Sequence, residues 1–169
     1  MEENIKKYEP RIIGIFCNWC TYLAADLAGI SRLKYSPNMR IARVMCSGRI
    51  NPEHVLWAFK QGADGVLIGG CHPGDCHYIE GNHKTLRRFI LLKKMLPQFG
   101  IESERLRLEW ISGSEAEKLK NVVNSFTEEL KELGPMQNDP EDLSPFLEKP
   151  ELEELSKSEK SEHDEFVIS

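Results

Sequence analysis

The sequence contains five cysteines, and their residue type and spacing make them the best candidates for a chemical function. Cys17 and Cys20 form a C-x-x-C pair, Cys46 stands alone, and Cys71 and Cys76 are separated by four residues. Thiolates are soft ligands that select zinc or iron–sulfur centres. Structural zinc sites use paired knuckles at regular spacing, whereas iron–sulfur clusters tolerate irregular spacing if four thiolates reach them. The pattern therefore favours a single iron–sulfur cluster, with one cysteine left over.

Alternating strand and helix patterns surround these cysteines. Short apolar or alternating runs predict four strands, at residues 11–16, 40–45, 64–69 and 106–111. Apolar residues at helical spacing predict helices at 21–33, 51–61, from after 81 to 97, and 114–133. Four strand–helix units joined by short links predict an α/β fold. We expect a flavodoxin-like, doubly wound, four-stranded parallel sheet with strand order 2-1-3-4 and helices on both faces.

The predicted fold gathers the cysteines at one edge of the sheet. Cys17, Cys46 and Cys71 end the first three predicted strands, while Cys20 and Cys76 follow in the loops after the first and third strands. The carboxyl ends of neighbouring parallel strands lie along one edge. All five sulfur atoms are therefore expected to converge around the crevice where the strand order reverses.

Local signals refine the helix and core predictions. Ser114 and Glu117 have the spacing of a capping box and predict the start of the last helix. Trp57 and Trp110 are predicted to be core residues.

The loops that carry the cysteines contain residues suited to surround a metal centre. Residues 69–76 hold three glycines and a proline, which allow close backbone approach and N–H donation to sulfur. His72 and His77 flank Cys76 and are expected to hydrogen-bond near the centre, with direct ligation as the alternative. Arg49, in the turn after the second strand, is expected to tune the reduction potential, to pair with a partner, or to be an ordinary surface residue.

Two further groups of residues are candidates for partner contacts. Trp19 and Tyr22 lie beside the C-x-x-C pair and are expected either to shield the centre, to contact a partner, or to pack in the core. The helix after residue 81 carries a set of basic side chains, which indicate either a docking face or an ordinary solvated face. These residues are Lys84, Arg87, Arg88, Lys93 and Lys94.

The C-x-x-C pair also permits a different function. A C-N-W-C sequence that follows a strand and opens a helix occupies the position of a thioredoxin-like motif, in which the helix end acidifies the first thiol. Thiol–disulfide exchange by Cys17 and Cys20 is therefore the alternative. It leaves the convergence of Cys46, Cys71 and Cys76 unexplained, so the cluster hypothesis is favoured.

Composition and charge divide the chain into a body and an acidic tail. The 169 residues are 40% hydrophobic and 29% charged, which is enough apolar material for one core without disulfides. Residues 136–169 hold eleven acidic side chains and three lysines, a net charge of −8, whereas the remaining residues carry +3. We predict an N-terminal extension at 1–10, an iron–sulfur α/β domain at 11–135, and a mobile or partner-docked acidic tail at 136–169.

The same features exclude several classes of protein. No apolar run reaches the roughly 18 residues of a membrane-spanning helix, and the first residues do not resemble a signal peptide. Five cysteines in that context predict a reducing, cytoplasmic location, where metal or redox chemistry is favoured over disulfides. The charge of the body is too weak to indicate nucleic-acid binding.

Three motifs together identify a family resemblance. The chain closely resembles the iron–sulfur delta subunit of the methyl-viologen-reducing hydrogenase of methanogens and related archaea. The motifs are F-C-N-W-C-T-Y-x-A-A-D-L-A-G at 16–29, M-C-S-G-R at 45–49 and G-G-C-H-P-G-D-C-H-Y at 69–78. The resemblance covers about residues 10–134.

The resemblance implies a cofactor, partners and ligands. In that family the subunit carries a [2Fe–2S] cluster and links a nickel–iron hydrogenase, or in some organisms a formate dehydrogenase, to the flavin subunit of heterodisulfide reductase. Electrons are split there between ferredoxin and the coenzyme M–coenzyme B disulfide. Four of the five cysteines are expected as ligands: Cys17, Cys71 and Cys76 rank first, and Cys20 and Cys46 compete for the fourth place. An electron-relay subunit without substrate turnover of its own is the resulting hypothesis.

Overall fold

The centre of the structure is a parallel β-sheet. The computed structural model describes residues 8–136 and residue 143. The strands of these residues are β1 (Ile12–Cys17), β2 (Met39–Val44), β3 (Gly65–Gly70) and β4 (Leu106–Trp110). Neighbouring strands pair in parallel in the order β2-β1-β3-β4, which confirms the predicted topology. The central strand β3 is buried at every position because helices cover both faces of the sheet.

Helices pack against both faces of this sheet. In the described residues they are α1 (Thr21–Ile30), α2 (Pro52–Lys60), α3 (Gly81–Met95) and α4 (Ala116–Leu133). α1 and α4 contribute to a core around Phe16 and Phe126 on one face, and α2 and α3 to a core around Phe59 and Leu92 on the other. This is the doubly wound α/β arrangement that the sequence predicts. Within the described residues, no helix combines the length and apolar character needed to cross a membrane.

Two element ends near the cysteines differ from the predicted ones. β2 ends at Val44, so Cys46 does not end a strand but caps a 3₁₀ turn at Ser47–Arg49. Helix α1 ends at Ile30, short of the predicted residue 33, because Arg32 adopts a left-handed φ of 53° that a helix cannot accommodate.

The capping box predicted for Ser114 and Glu117 is wrong. α4 begins at Ala116, and its N-cap residue is Glu115. The Glu115 carboxylate accepts a hydrogen bond from the backbone N–H of Ser112 at 2.7 Å. A carboxylate that reaches back into the preceding loop therefore closes the turn in place of the serine.

An open groove leaves one predicted core residue at the surface. Trp57 is 50% exposed, so its assignment to the core is wrong. It lines a groove of about 1290 Å³ with Ala42 and Val44, because α2 leaves this face of the edge strand β2 uncovered. The five cysteines, all in the described part of the chain, are not among its lining residues. Trp110 is half-buried and packs over Gly70.

Two residues after α4 pack against the domain. Leu143 is buried in the core between the sheet and the α2–α3 layer, and Met136 packs against the same core. The other residues of the predicted extension and tail, at 1–7, 137–142 and 144–169, lie outside the described residues.

A buried arginine connects three segments of the fold. Arg105, directly before β4, donates from Nε to the Glu102 carboxylate at 2.7 Å. Its Nη1 and Nη2 donate to the backbone carbonyls of Asp64 at 3.1 Å and Gly134 at 3.0 Å. The hydrogen bond from Arg105 holds the pKa of Glu102 below its usual range. Arg105 therefore joins the start of β3 and the end of α4 to the start of β4.

Replacing Arg105 with alanine is expected to destabilise the fold strongly. The change leaves the carbonyls of Asp64 and Gly134 without their donor and opens a cavity, so the free energy of unfolding should fall by about 3 kcal/mol. Arg107→Ala is the control, because it removes only partly exposed ion pairs and should cost at most about 1 kcal/mol. Urea denaturation followed by circular dichroism measures both changes, and equal losses would contradict the role of Arg105.

Candidate metal centre

The ends of the central strands bring the cysteines together. Cys17 is the last residue of β1 and pairs with Val44, the last residue of β2. Phe16 of β1 pairs with Gly69 of β3, so Cys71, which directly follows β3, lies one position beyond the level of Cys17. Cys20 is the N-cap residue of α1. Parallel pairing and register therefore bring Cys17, Cys20 and Cys71 to one edge of the sheet.

Three of the cysteines form a compact buried triad. The Sγ atoms of Cys17, Cys20 and Cys71 all lie within 4.8 Å of one another, and those of Cys17 and Cys71 are 3.8 Å apart. Helix α1 starts close to β3 because Gly69 leaves room for the side chain of Thr21. A Cβ on Gly69 would lie 2.8 Å from the Thr21 Oγ1 atom. This close approach holds Cys20 against Cys71.

Hydrogen bonding among the three thiols shifts their pKa values in opposite directions. Hydrogen bonds from Cys20 and Cys71 lower the pKa of Cys17 to about 2. Hydrogen bonding to Cys17 raises the pKa of Cys20 to about 11 and also raises the pKa of Cys71, with burial adding to both shifts. The neighbouring thiols therefore favour deprotonation of Cys17 over that of Cys20 and Cys71. A thiophilic metal would take the place of the thiol protons, since cysteine binds metals in its deprotonated form.

Cys46 and Cys76 form a pair beside the triad. Their sulfur atoms lie at the first residue of α3, where a Cβ on Gly81 would collide with the Cys46 Sγ and lie 3.1 Å from the Cys76 Sγ. The Cys46 Sγ accepts a hydrogen bond from the Gly48 N–H at 3.4 Å. Burial raises the pKa of Cys46, and the charges of Cys76 and Cys17 act in the same direction. The pair is therefore within electrostatic reach of the triad.

The loop after β2 is anchored by Arg88 of α3. The Arg88 Nη1 donates to the carbonyl of Gly48 at 2.7 Å and to that of Ile50 at 3.1 Å. Arg88 is half-buried and has this internal role, so it is not a free member of the predicted docking face. The other residues of that face are Lys84, Arg87 and Lys94, which are exposed, and Lys93, which is half-buried.

The loop after β3 is anchored by Asn82 and Glu115. The buried Asn82 donates from Nδ2 to the carbonyls of Cys71 at 3.4 Å and His72 at 2.8 Å. The His72 Nε2 atom lies 2.7 Å from Glu115 Oε2. Hydrogen bonds from the Ser112 N–H and from His72 hold the pKa of Glu115 below its usual range. His72 is therefore engaged with a carboxylate at the entrance to α4.

The remaining residues singled out from the sequence lie around the cysteines in different environments. His77 stacks on Trp19, with ring centroids 4.0 Å apart and an interplanar angle of 15°. Tyr22 packs against the α1–α4 core, with the Arg43 guanidinium 5.1 Å from the centroid of its ring. Arg49 closes the 3₁₀ turn after Cys46 and is exposed.

Sequence reasoning missed three residues that shape the site: Gly81, Asn82 and Arg88. The Gly-Asn dipeptide is a turn signal and could have identified the start of α3 as part of the site. No local signal separates Arg88 from the other basic residues of its helix. Its partners Gly48 and Ile50 lie 40 and 38 residues away in the sequence.

This arrangement suits metal binding better than thiol exchange. An attacking thiol must reach a disulfide through solvent, but Cys17 and Cys20 are both buried. Cys17 is also hydrogen-bonded to a third thiol, that of Cys71. Five thiols in two adjoining groups supply more than the four thiolates that an iron–sulfur cluster requires. The donor set therefore fits such a cluster.

The chain is similar to hydrogenase subunits over nearly all of the described fold. The FlpD family model, described as methyl-viologen-reducing hydrogenase, delta subunit, matches residues 12–134. The vhc iron–sulfur subunit of the F420-non-reducing hydrogenase of Methanococcus voltae is 56% identical over 135 residues, covering 80% of this chain and 92% of that protein. The iron–sulfur subunit of the F420-non-reducing hydrogenase of Archaeoglobus profundus is 56% identical over 130 residues, covering 77% and 95%.

Another relative contains a similar segment within a much longer chain. It belongs to the ferredoxin/F(420)H(2)-dependent CoB-CoM heterodisulfide reductase of Methanosarcina acetivorans, and it is 49% identical over 127 residues. These residues are 75% of this chain but 16% of that protein, which we call the long reductase subunit. The family model extends from the first strand to the end of the last helix and includes all five cysteines, so the chain belongs to the family of methyl-viologen-reducing hydrogenase delta subunits.

Proposed function

We propose that the chain is a [2Fe–2S] electron-transfer subunit. It relays electrons from a hydrogenase, or a formate dehydrogenase, to the flavin subunit of heterodisulfide reductase in an electron-bifurcating complex. The observation that carries the proposal is the meeting of five cysteines from three crossover loops at one edge of the sheet. The names of the relatives, which are iron–sulfur subunits of hydrogenases, support a cluster at this site.

The relatives also support the choice of partners. Two are named as hydrogenase subunits, and the third, the long reductase subunit, contains a similar segment within its own chain. Domains that share one polypeptide in one organism commonly contact each other when they are separate chains in another. Direct contact between this chain and its own organism's counterpart of the long reductase subunit is therefore part of the proposal.

Four of the five cysteines are proposed as ligands of the cluster. Cys17, Cys20 and Cys71 supply three thiolates, and either Cys46 or Cys76 supplies the fourth. This set differs from the ranking based on sequence, which placed Cys76 ahead of Cys20, because Cys20 lies within 4.8 Å of the other two triad sulfurs. When bound, a [2Fe–2S] cluster accepts and releases one electron at a time.

The residues around the cysteines are proposed to set the properties of the centre. The buried thiols are screened from water, and the Gly48 N–H already donates to the Cys46 sulfur. Hydrogen bonds to sulfur and nearby positive charge both raise the potential of an iron–sulfur centre. Arg49, His72 and His77 are the polar side chains of the cysteine loops proposed to act in this way.

Anaerobic purification is expected to yield a coloured protein with about two irons and two sulfides per chain, as a [2Fe–2S] cluster requires.

Cys71→Ser removes a thiol that lies next to both Cys17 and Cys20, so it should abolish iron and sulfide binding. Trp57→Phe, in the groove that lacks cysteines, should leave the spectra unchanged. Iron and sulfide assays with electron paramagnetic resonance of the reduced protein measure both variants.

Other outcomes of these measurements would contradict the cluster. A colourless protein that retains zinc is one, and a native resonance spectrum in all five single Cys→Ser variants is another. Insulin reduction by the metal-free protein tests the alternative function. Robust turnover that depends on Cys17 and Cys20 would favour thiol–disulfide exchange.

Gly81→Ala is expected to prevent cluster binding without unfolding the protein. The new Cβ collides with the Cys46 sulfur, although alanine at this position otherwise favours the helix. Gly29→Ala is the matched control, because a Cβ at this other helical glycine has nothing within 4 Å. Iron and sulfide content should fall to a small fraction in Gly81→Ala and stay unchanged in Gly29→Ala, with native circular dichroism in both. Full iron content in Gly81→Ala would show that Cys46 is not a ligand of the cluster.

A further inference from the structure

Exposed apolar side chains stand beside the cysteines in each of the three loops. Trp19 is 40% exposed, Met45 54%, Tyr78 49% and Ile79 82%. Each of them lies within three residues of a cysteine in the sequence. Large apolar side chains that gather at one place on a surface mark an interaction site more often than single exposed ones do.

Aromatic contacts join the loop after β1 and the loop after β3 into one surface. The stacked rings of Trp19 and His77 connect the loop after β1 with the loop after β3, and His77 meets Tyr78 edge-on at 5.0 Å. The Met45 carbonyl lies 3.8 Å from the Cys17 Sγ atom, which places the loop after β2 beside the loop after β1. We call the residues Trp19, Met45, His77, Tyr78 and Ile79 the apolar rim.

Ile79 is the unusual member of the apolar rim. Its backbone has a φ of 67°, in the left-handed region that is a clear outlier for a β-branched residue. The surrounding turn holds it there: the Ile79 N–H donates to the Cys76 carbonyl at 2.9 Å, and the Glu80 N–H to the Tyr78 carbonyl at 2.8 Å. Among the described residues the side chain of Ile79 nevertheless stays 82% exposed. Strain of this kind is typical of functional positions.

We propose that the apolar rim is the docking surface for the counterpart of the long reductase subunit, and that Ile79 is its anchor. This inference rests on the proposed function and names the contact surface and the partner. A partner that covers the rim comes close to the cysteines, as electron transfer requires. This partner is chosen because a similar segment occurs within the long reductase subunit in Methanosarcina acetivorans. The matching surface on the partner is an apolar recess that receives the isoleucine.

The basic face of α3 is less suited to this contact. α3 begins at Gly81, where the sulfur atoms of Cys46 and Cys76 lie. At 1.5 Å per residue, Lys84 is about 5 Å further along the helix axis, but Arg87 and Lys94 are about 9 and 20 Å away. A partner held by these charges would remain further from the centre than one held by the rim.

The test compares two equally exposed isoleucines in the full chain, purified anaerobically. Ile79→Asn and Ile79→Gly remove the anchor, and both residues tolerate the left-handed backbone, so stability should be unchanged or higher. Ile30→Asn is the control, because Ile30 is 81% exposed and lies at the far end of α1 from Cys20. Anaerobic calorimetry measures the Kd for the purified reductase partner from the same organism, and a second titration uses the purified hydrogenase.

The expected result is a Kd for the reductase partner at least about tenfold higher in both Ile79 variants, as for an interface hot spot. The Kd of Ile30→Asn should stay within twofold of the unchanged chain, and iron and sulfide content should be equal in all four proteins. Binding of the reductase partner by Ile79→Asn within twofold of the unchanged chain would overturn the proposal. So would weakened hydrogenase binding with reductase binding intact.

Failure of the underlying function gives a different result. In that case the unchanged chain would lack iron, or would bind neither the reductase partner nor the hydrogenase, before any substitution at Ile79. Failure of the docking proposal alone leaves an iron-containing chain that binds the reductase partner through another surface.

Discussion

Parallel pairing of β1 with β2 and β3 is the constraint on which the candidate centre depends. Parallel strands end at the same edge of a sheet, so the chain leaves all three strands at one place. Each of the three loops that start there carries at least one cysteine. An antiparallel sheet of the same strands would distribute the cysteines over two opposite edges. In a zinc knuckle the ligands are brought together by their short spacing in the sequence. In this fold the pairing of the strands brings the cysteines together.

Close backbone approach converts this shared edge into a compact group of sulfur atoms. Gly69 lets α1 start against β3, and Gly81 leaves space for the Cys46 and Cys76 sulfurs at the start of α3. A Cβ on Gly48 would lie 2.8 Å from the Gly81 Cα atom, so the backbone of the loop after β2 packs directly on the backbone of α3. Arg88 and Asn82 then hold the two loops by hydrogen bonds to their carbonyls.

The resulting site has two zones with different roles. The buried zone contains the thiols of Cys17, Cys20, Cys46 and Cys71, where hydrogen bonds from neighbouring thiols lower the pKa of Cys17. The exposed zone is the apolar rim, whose side chains belong to the same loops. This division suits a protein that keeps its redox centre from water and presents it to a partner. It also explains how one domain can serve as a separate polypeptide in this family and as a segment of a longer chain in a relative.

The amino-acid sequence by itself determined the strand order, the two covered faces and the meeting of the cysteines. Apolar periodicity identifies the strands and helices, and right-handed crossovers leave few other topologies. Only the tertiary structure decided that the sulfurs divide into a triad and a pair, that Trp57 stays at the surface, and that α4 begins after Glu115. It also decided the internal role of Arg88 and the left-handed backbone of Ile79. These features arise from contacts between distant segments or from the closure of a particular loop. Local sequence patterns predict neither of these.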